Sequence, residues 1–401
     1  MMWEKVKIGD VYEGLYDGPH ATPPTSDDGA IFLGISNITK DGHIDLSDIK
    51  YINENDLPKW TKRVTPKGGD IVFSYEATLN LYAIIPDDFW GCLGRRMALI
   101  RPDETKAHGK YLYYYFFSEE WRSTVSSHII TGATVDRIPI AKFPKFIISL
   151  PPMEKQHKIA NILSNYDDLI VNNKKQIKLL EEAAQRLYKE WFVDLRFPGY
   201  EDVDVVDGVP EGWTEDTIDS KIDLLSGYAF KSAEFNGEGT YKIVTIKNVK
   251  DGQFDGDNVS RMVDIPKKMP EHCKLSDGDI LLSLTGNVGR VCIVHGDNYL
   301  LNQRVAKIKS DNPTYAYCLF RSKDMFDKMN NLANGAAQQN LSPIRTGKIK
   351  VVFPTDKLIS AFEGIVSPMI QEITLLNKTV LLLSQACDRL LPKLMNGEIE
   401  V

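Results

Sequence analysis

The feature that most restricts how this chain can fold is that its plan is written twice. Trp3, in a Trp-Glu start, aligns with Trp213 in PEGWTED, and ISNITKDG, holding Asn37 and Gly42, aligns with IKNVKDG, holding Asn248 and Gly252. GGDIVFS at Gly68 to Ser74 matches DGDILLS at Asp277 to Ser283, and RRMALIRPD, ending at Asp103, matches QRVAKIKSD, ending at Asp311. From Gly132 to Trp191 the match to Gly335 through Leu394 runs without a gap, pairing GATVDRIPI with GAAQQNLSP and ISLPP with VVFPT. Ordered matches of this kind mean one supersecondary plan used twice. A length of 401 residues agrees, because it exceeds what one hydrophobic core usually holds.

Within each copy the pattern changes part-way. The first part has short apolar runs, such as Ile71 to Phe73, Met97 to Ile100 and Ile280 to Leu284, set between Gly, Asp, Asn and Pro turns, which predicts strands. Helical stretches such as Lys110 to Val125 and Pro313 to Leu332 make each globule a mixed α/β unit. The second part has almost no glycine and a heptad-type period. A strict 4,3 spacing from Ile159 picks out Leu163, Tyr166, Ile170, Asn173, Ile177, Leu180, Ala184, Leu187 and Trp191, of which only Asn173 is polar. The repeat carries the register to Phe362, Val366, Met369, Ile373, Leu376, Val380, Leu383, Cys387, Leu390 and Leu394. Two such seams in one chain are expected to bury each other, through Ile170, Asn173, Ile177, Leu180 and Leu187 on one side and Ile373, Leu376, Val380, Leu383 and Leu390 on the other.

Ser164 followed by Asp167 resembles a capping box, and Ser367-Pro368 an N-cap with proline at the first helical position. Each segment is therefore expected to hold a short helix, a break, and a long helix of about 30 residues, roughly 45 Å. The predicted layout is a first globule at 1–150, a helical spacer at 151–197, an acidic linker at 198–213, a second globule at 214–354 and a second spacer at 355–401. The linker reads as solvated, because Glu201, Asp202, Asp204, Asp207 and Glu211 stand there without a single base.

Catalytic motifs are scarce. There is no phosphate-binding G-x-x-x-x-G-K-[ST] loop, no G-x-S-x-G elbow and no H-E-x-x-H helix. Pro151-Pro152 lacks the flanking residues that hold a flipped base and reads as a stop between strand and helix. Five scattered cysteines suit a reducing compartment, and the lone C-x-x-H of Cys292 and His295 has no second pair to complete a metal site, so none is expected. The start lacks an apolar leader-like run and no stretch nears the ~18 apolar residues of a membrane span, which points to the cytoplasm. One enzyme alternative stays open: Asp87, Glu104 and Lys106 are the residue types a metal-dependent nuclease uses.

Binding turns are better represented. Polar side chains stand on or near glycine turns at three places per globule: Thr285, Asn287 and Arg290 in TGNVGR; Arg95-Arg96 and Gln303-Arg304; and Thr131, Thr134 and Arg137 with their partners Gln338, Gln339 and Asn340. Arg, Asn and Gln can make paired contacts with purine edges, and freed backbone amides can hold phosphates. Charge is the difficulty. The net charge is −7, residues 1–150 carry 17 basic and 20 acidic side chains, and 215–355 carry 19 and 17. A nearly neutral DNA reader must borrow electrostatic affinity from a partner or carry a local basic face.

Two strand-rich globules, the turn GATVDRI, LPPMEKQHKIANILSNYDDLI leading into a heptad helix, and VPEGW before the second globule together resemble the specificity subunit of type I restriction-modification systems. The resemblance covers the full chain. The first copy departs at SYEATLNLY, where the second has the glycine-rich SLTGNVGR more usual in such proteins. The resemblance implies an α/β (α+β) fold: two tandem target recognition domains, each followed by a long helix, the helices pairing as an antiparallel coiled coil with pseudo-two-fold symmetry. It implies a non-catalytic chain that reads an interrupted site in double-stranded DNA and docks two adenine methyltransferase subunits, to which restriction and translocase subunits add. S-adenosylmethionine, magnesium and ATP then belong to those partners, and the chain needs no cofactor of its own.

Overall fold

The computed structural model describes residues 3–131, 135–257, 259–333 and 340–401, with Thr131 described by its main chain alone. Two compact units emerge. One is Met1–Asp168 with Ser384–Val401; the other is Leu169–Leu383. The first long helix, Met153–Phe192, begins in the first unit and ends in the second, and the second, Asp356–Met395, runs from the second unit into the first.

In the first unit a four-stranded antiparallel sheet runs in the order Tyr12–Asp17, Met97–Pro102, Ile71–Ser74, Tyr82–Ile84. A second sheet sets Ala30–Leu33 between Lys50–Ile52, antiparallel, and Gly91–Leu93, parallel. Glu4–Lys7 pairs with Ile147–Leu150 where the chain enters the long helix. Ile71–Ser74 is buried at every position, which is why it reads as a continuous apolar run rather than an alternating one. Under this sheet Trp121, Phe116, Phe143 and Phe146 pack together, and the Trp121 indole N–H donates to the Tyr82 hydroxyl at 2.8 Å, which satisfies both buried polar groups.

The second unit repeats this topology. Its four-stranded sheet has the order Ile222–Ser226, Val305–Ser310, Ile280–Ser283, Val291–Ile293. In its other sheet Tyr241–Val244 lies antiparallel to Ser260–Met262 and parallel to Tyr299–Leu301. Thr214–Thr217 pairs with Lys350–Phe353. The matched Asn residues do the same work in each copy. Asn37 Oδ1 accepts from Gly34 N at 3.0 Å while its amide donates to Asp45 O; Asn248 Oδ1 accepts from Thr245 N at 2.8 Å while its amide donates to Asp255 O.

The helices depart from expectation. Each long segment is one unbroken helix of 40 residues, roughly 60 Å rather than 45 Å. Ser164 does not cap: its hydroxyl bonds back to Asn161 O at 3.4 Å, and Asp167 instead accepts from the Tyr114 hydroxyl at 2.6 Å. Pro368 sits inside its helix, one turn after Gly364, an exposed position with no neighbouring atom within reach of an added Cβ. The seam overrides the break signals. Phe362, Val366 and Ile373 are almost fully buried on either side of Pro368, and each such side chain is worth ~1.5–3 kcal/mol, against a proline cost of ~3 kcal/mol. The helical stretches within the globules do break, at Ser118 and Ser322, giving Gly109–Tyr115 and Glu119–His128 in one and Pro313–Arg321 and Lys323–Ala333 in the other.

None of the twenty seam positions is exposed, and Asn173 is 8% exposed. In the second unit Tyr188, Trp191 and Phe192 meet Phe362, with ring centroids 5.1–6.1 Å apart. In the first unit Ile159, Ala160 and Leu163 share a core with Leu390, Leu394 and Met395. The end of one helix thus packs on the start of the other in each unit, which is antiparallel pairing. The acidic linker holds a short hairpin, exposed Val205–Val206 with Val209–Pro210, of which Pro210 is buried, closed by Asp207 and Gly208 at positive φ. No helix among the described residues is long and apolar enough to cross a membrane.

Candidate nucleic-acid interface

Strand Ile280–Ser283 runs into the turn Leu284–Arg290, and Ser283 organises it. Its hydroxyl donates to Asn287 O at 2.5 Å and accepts from Arg290 N at 3.0 Å, while its carbonyl accepts from Gly289 N at 3.1 Å. Gly286 and Gly289 take φ of 71° and 80°, and Val288 is buried as the turn's anchor. Asn287 is left exposed and Arg290 half-buried. Leu284 then ties three turns together. Its N–H donates to Arg304 O at 3.0 Å and its carbonyl accepts from Leu341 N at 2.7 Å, while Thr285 bridges to Asn340. Gln303 N donates to Tyr228 O at 3.0 Å, which adds the Tyr228 loop. Gln303, Arg304 and Asn340 are exposed. Thr285 is half-buried, its hydroxyl enclosed without a hydrogen-bond partner.

The first unit builds the same constellation from other side chains. Leu81 N donates to the Ser74 hydroxyl at 3.3 Å, as Arg290 N does to Ser283. Tyr75 N donates to Arg96 O at 3.1 Å, Tyr75 O accepts from Ile138 N at 2.7 Å, and Glu76 bridges to Arg137. The departure seen in the sequence, SYEATLNLY in place of SLTGNVGR, changes no part of the path. Ala77 and Asn80 adopt φ of 70° and 61°, the left-handed conformations that Gly286 and Gly289 supply in the other copy. Asn80 is a residue that tolerates this; its Oδ1 accepts from the Tyr82 hydroxyl at 3.0 Å. Ala77 tolerates it less well and is held by Ala77 N donating to Asp136 O at 3.1 Å.

The side chains differ in electrostatics. Arg95 and Arg137 are exposed, whereas Arg96, itself at φ 70°, lies 3.2 Å from Glu76 Oε1 as an ion pair without hydrogen-bond alignment. Burial pushes the Tyr75 hydroxyl up, and the carboxylates of Asp17 and Glu76 add to this against Arg63 and Arg95. Of the sequence-predicted contacts, the structure brings together Arg95, Arg96 and Arg137 in one unit and Thr285, Asn287, Arg290, Gln303, Arg304 and Asn340 in the other. Thr134, Gln338 and Gln339 lie outside the described residues, as does the Thr131 side chain. Sequence reasoning missed Tyr75, Glu76 and Tyr228; only their main-chain bonds place them at the site, and no motif marks them.

The nuclease alternative is not assembled. Glu104 Oε1 accepts from Gly109 N at 3.0 Å at the start of a helix, Lys106 pairs with Asp103 at 3.0 Å, and Asp87 lies against Gly68. No group of three or more candidate metal ligands occurs among the described residues. Cys292 is fully buried in its strand, where burial pushes the thiol well up, as befits a packing residue.

The family described as "Type I restriction modification DNA specificity domain" matches residues 2–182 and 210–362, one stretch in each copy of the repeat. The chain belongs to that family. The type I restriction enzyme MjaIX specificity subunit of Methanocaldococcus jannaschii is 26% identical over 368 residues, covering 87% of this chain and 82% of the relative. The putative MjaX specificity subunit of the same organism is 24% identical, covering 100% of this chain and 94% of its own. The HindI specificity subunit of Haemophilus influenzae is 22% identical, covering 99% of each. In fold, the chain is similar to the type I restriction-modification S subunit from M. genitalium, with a TM-score of 0.61 at 17% identity over 98% of this chain and 96% of that one.

Proposed function

We propose that this chain is the DNA-reading subunit of a type I restriction-modification complex and that each globule reads one half of an interrupted site. The observation that carries this is the three-turn constellation built twice on one backbone plan with different side chains: exposed Arg95 and Arg137 with half-buried Arg96 in one copy, exposed Asn287, Gln303, Arg304 and Asn340 in the other. Equal frames with unequal side chains suit two different half-sites. Residues 1–150 and 214–354 act as the two target recognition domains, 151–197 and 355–401 as helical spacers that set the gap, and 198–213 as linker. The spacers dock two adenine methyltransferase subunits, and through them restriction and translocase subunits, in the cytoplasm. The chain holds no cofactor; S-adenosylmethionine, magnesium and ATP serve the partners' chemistry.

The test is competition binding by the chain assembled with its methyltransferase subunits, using duplexes altered separately in each half of the site. Gln303→Ala is expected to relax preference in one half by ~1–3 kcal/mol, the value of a lost bidentate contact, and to leave the other half untouched. Arg290→Ala, if the side chain only holds backbone, weakens binding evenly. Altered preference in both halves, or a methylated site that proves continuous, would overturn the division of labour.

A further inference from the structure

Beside the Arg95–Arg96 turn of the first unit lies a cleft of about 390 Å³, lined by Asp17, His20, Lys59, Trp60, Lys62 and Arg63 among others. It is continuous with the recognition turns. Gly18 N donates to Met97 O at 2.7 Å, and a Cβ on Gly18 would meet Gly94 O at 2.4 Å, so the cleft wall and the arginine turn share a backbone contact that only glycine permits. Arg63 and Arg95 both bear on the Tyr75 hydroxyl, one from the cleft and one from the turn.

The charges of the cleft are divided in a telling way. Asp17 is satisfied: its Oδ2 lies 2.5 Å from Arg63 Nη1 and 3.2 Å from His20 Nε2. Arg63 also reaches Gly18 O at 3.4 Å, which fixes its guanidinium in the wall. Lys59 and Lys62 are exposed, and neither forms an ion pair with a described residue; Lys59 Nζ stands 5.5 Å from the centre of the Trp60 ring. The Trp60 indole N–H is enclosed without a hydrogen-bond partner, a donor left unsatisfied in a polar wall. Three positive side chains, of which Arg63 is held in place, thus line a cleft with one carboxylate that is already paired, in a chain whose net charge is −7. Elsewhere many surface lysines are paired with acids, as Lys106, Lys350 and Lys378 are.

We propose that this cleft seats backbone phosphate of the DNA flanking the half-site read by the first globule, with Lys59 and Lys62 as the neutralising cations and Arg63 as the fixed wall. It is the local basic face that a nearly neutral DNA reader requires. The proposal rests on the DNA-reading function above. It assigns a positioning contact, not a base contact, so its signature is electrostatic and blind to sequence.

The experiment measures binding of the chain with its methyltransferase subunits to a site-bearing duplex and to a random duplex from 50 to 200 mM salt, for wild type and for Lys59→Gln/Lys62→Gln. Both lysines are exposed, so the variant should melt with the wild type. The salt slope is expected to fall by about 0.9–1.8, so the wild-type advantage shrinks about 3- to 12-fold across that range, equally for both duplexes. An unchanged slope overturns the proposal. A loss confined to the site-bearing duplex also overturns it, because that would make these lysines readers of bases. Failure of the wild type to prefer the site-bearing duplex would instead bring down the DNA-reading function, and the cleft's role with it.

Discussion

Replacing Arg321 by methionine should cost the second unit about 3–5 kcal/mol, and the reason is the company Arg321 keeps. Arg321 Nη1 donates to Glu181 Oε2 and, at 2.9 Å, to the Tyr317 hydroxyl, which itself donates to Glu181 Oε1 at 2.6 Å; Asp251 Oδ1 stands 3.3 Å from Arg321 Nε. Glu181 belongs to the first long helix and the others to the second globule, so this cluster fastens the globule to the helix. The pair is 13% and 14% exposed, enough burial that its charges are poorly screened. Burial pushes Glu181 up, and Arg321 is what draws it back down. With Arg321→Met the carboxylate stays buried without its counter-charge, and at 2–4 °C per kcal/mol for a unit of this size the melting temperature should fall by about 6–20 °C. The sign with pH follows. A carboxyl raised further in the folded state binds a proton there more readily than in the unfolded chain. The variant's deficit relative to wild type should therefore shrink as pH falls towards the ordinary glutamate value. Calorimetry and urea denaturation at pH 7 and pH 5 measure this. The triple variant Glu181→Leu/Tyr317→Phe/Arg321→Met removes the whole polar cluster and should recover to within about 1–2 kcal/mol of wild type or exceed it. A single-variant cost below about 1 kcal/mol, or a triple variant as weak as the single, would refute the reasoning.

Asn173→Ile should leave the melting temperature unchanged or raised, because the Asn is 8% exposed in an otherwise apolar seam, while assembly with partner subunits becomes heterogeneous by native mass spectrometry. A drop of several degrees with uniform assembly would count against a register role. Ala77→Gly should stabilise the first unit by about 0.5–1 kcal/mol, since it removes a left-handed alanine, and Gly286→Ala should do the reverse in the second; denaturation midpoints decide, and equal signs would contradict the shared turn geometry. His295 is half-buried, edge-on to Phe254 at 5.4 Å, and that partial burial lowers its pKa below 6.5. A depressed folded value means stability present above pH 6.5 and lost as pH falls through the folded value, so the second unit should weaken on acidification and His295→Gln should flatten that slope in urea titrations. An unchanged slope would show that another group governs it.

The repeat, the change from strand-rich to heptad pattern, the two apolar seams and the turns that carry Arg96, Thr285 and Gln303 were all legible in the sequence. Each depends on residues near one another along the chain, or on a period that a helix face imposes regardless of context. Three decisions belonged to the tertiary structure. Ser164 and Ser367-Pro368 are sound local stop signals, yet both helices run through them, because the seam buried beyond each signal outweighs the local cost. SYEATLNLY lacks the glycines that would announce a left-handed turn, but the main-chain bonds from Arg96 and to Ile138 impose that path on Ala77 and Asn80. The basic cleft joins residues near 17–20 with others near 59–63 and a backbone contact at Met97, three separate segments of a globule whose 17 basic and 20 acidic side chains nearly balance when summed along the chain. Composition averages charge over sequence, whereas electrostatic potential is set by distance in space, and only folding converts one into the other.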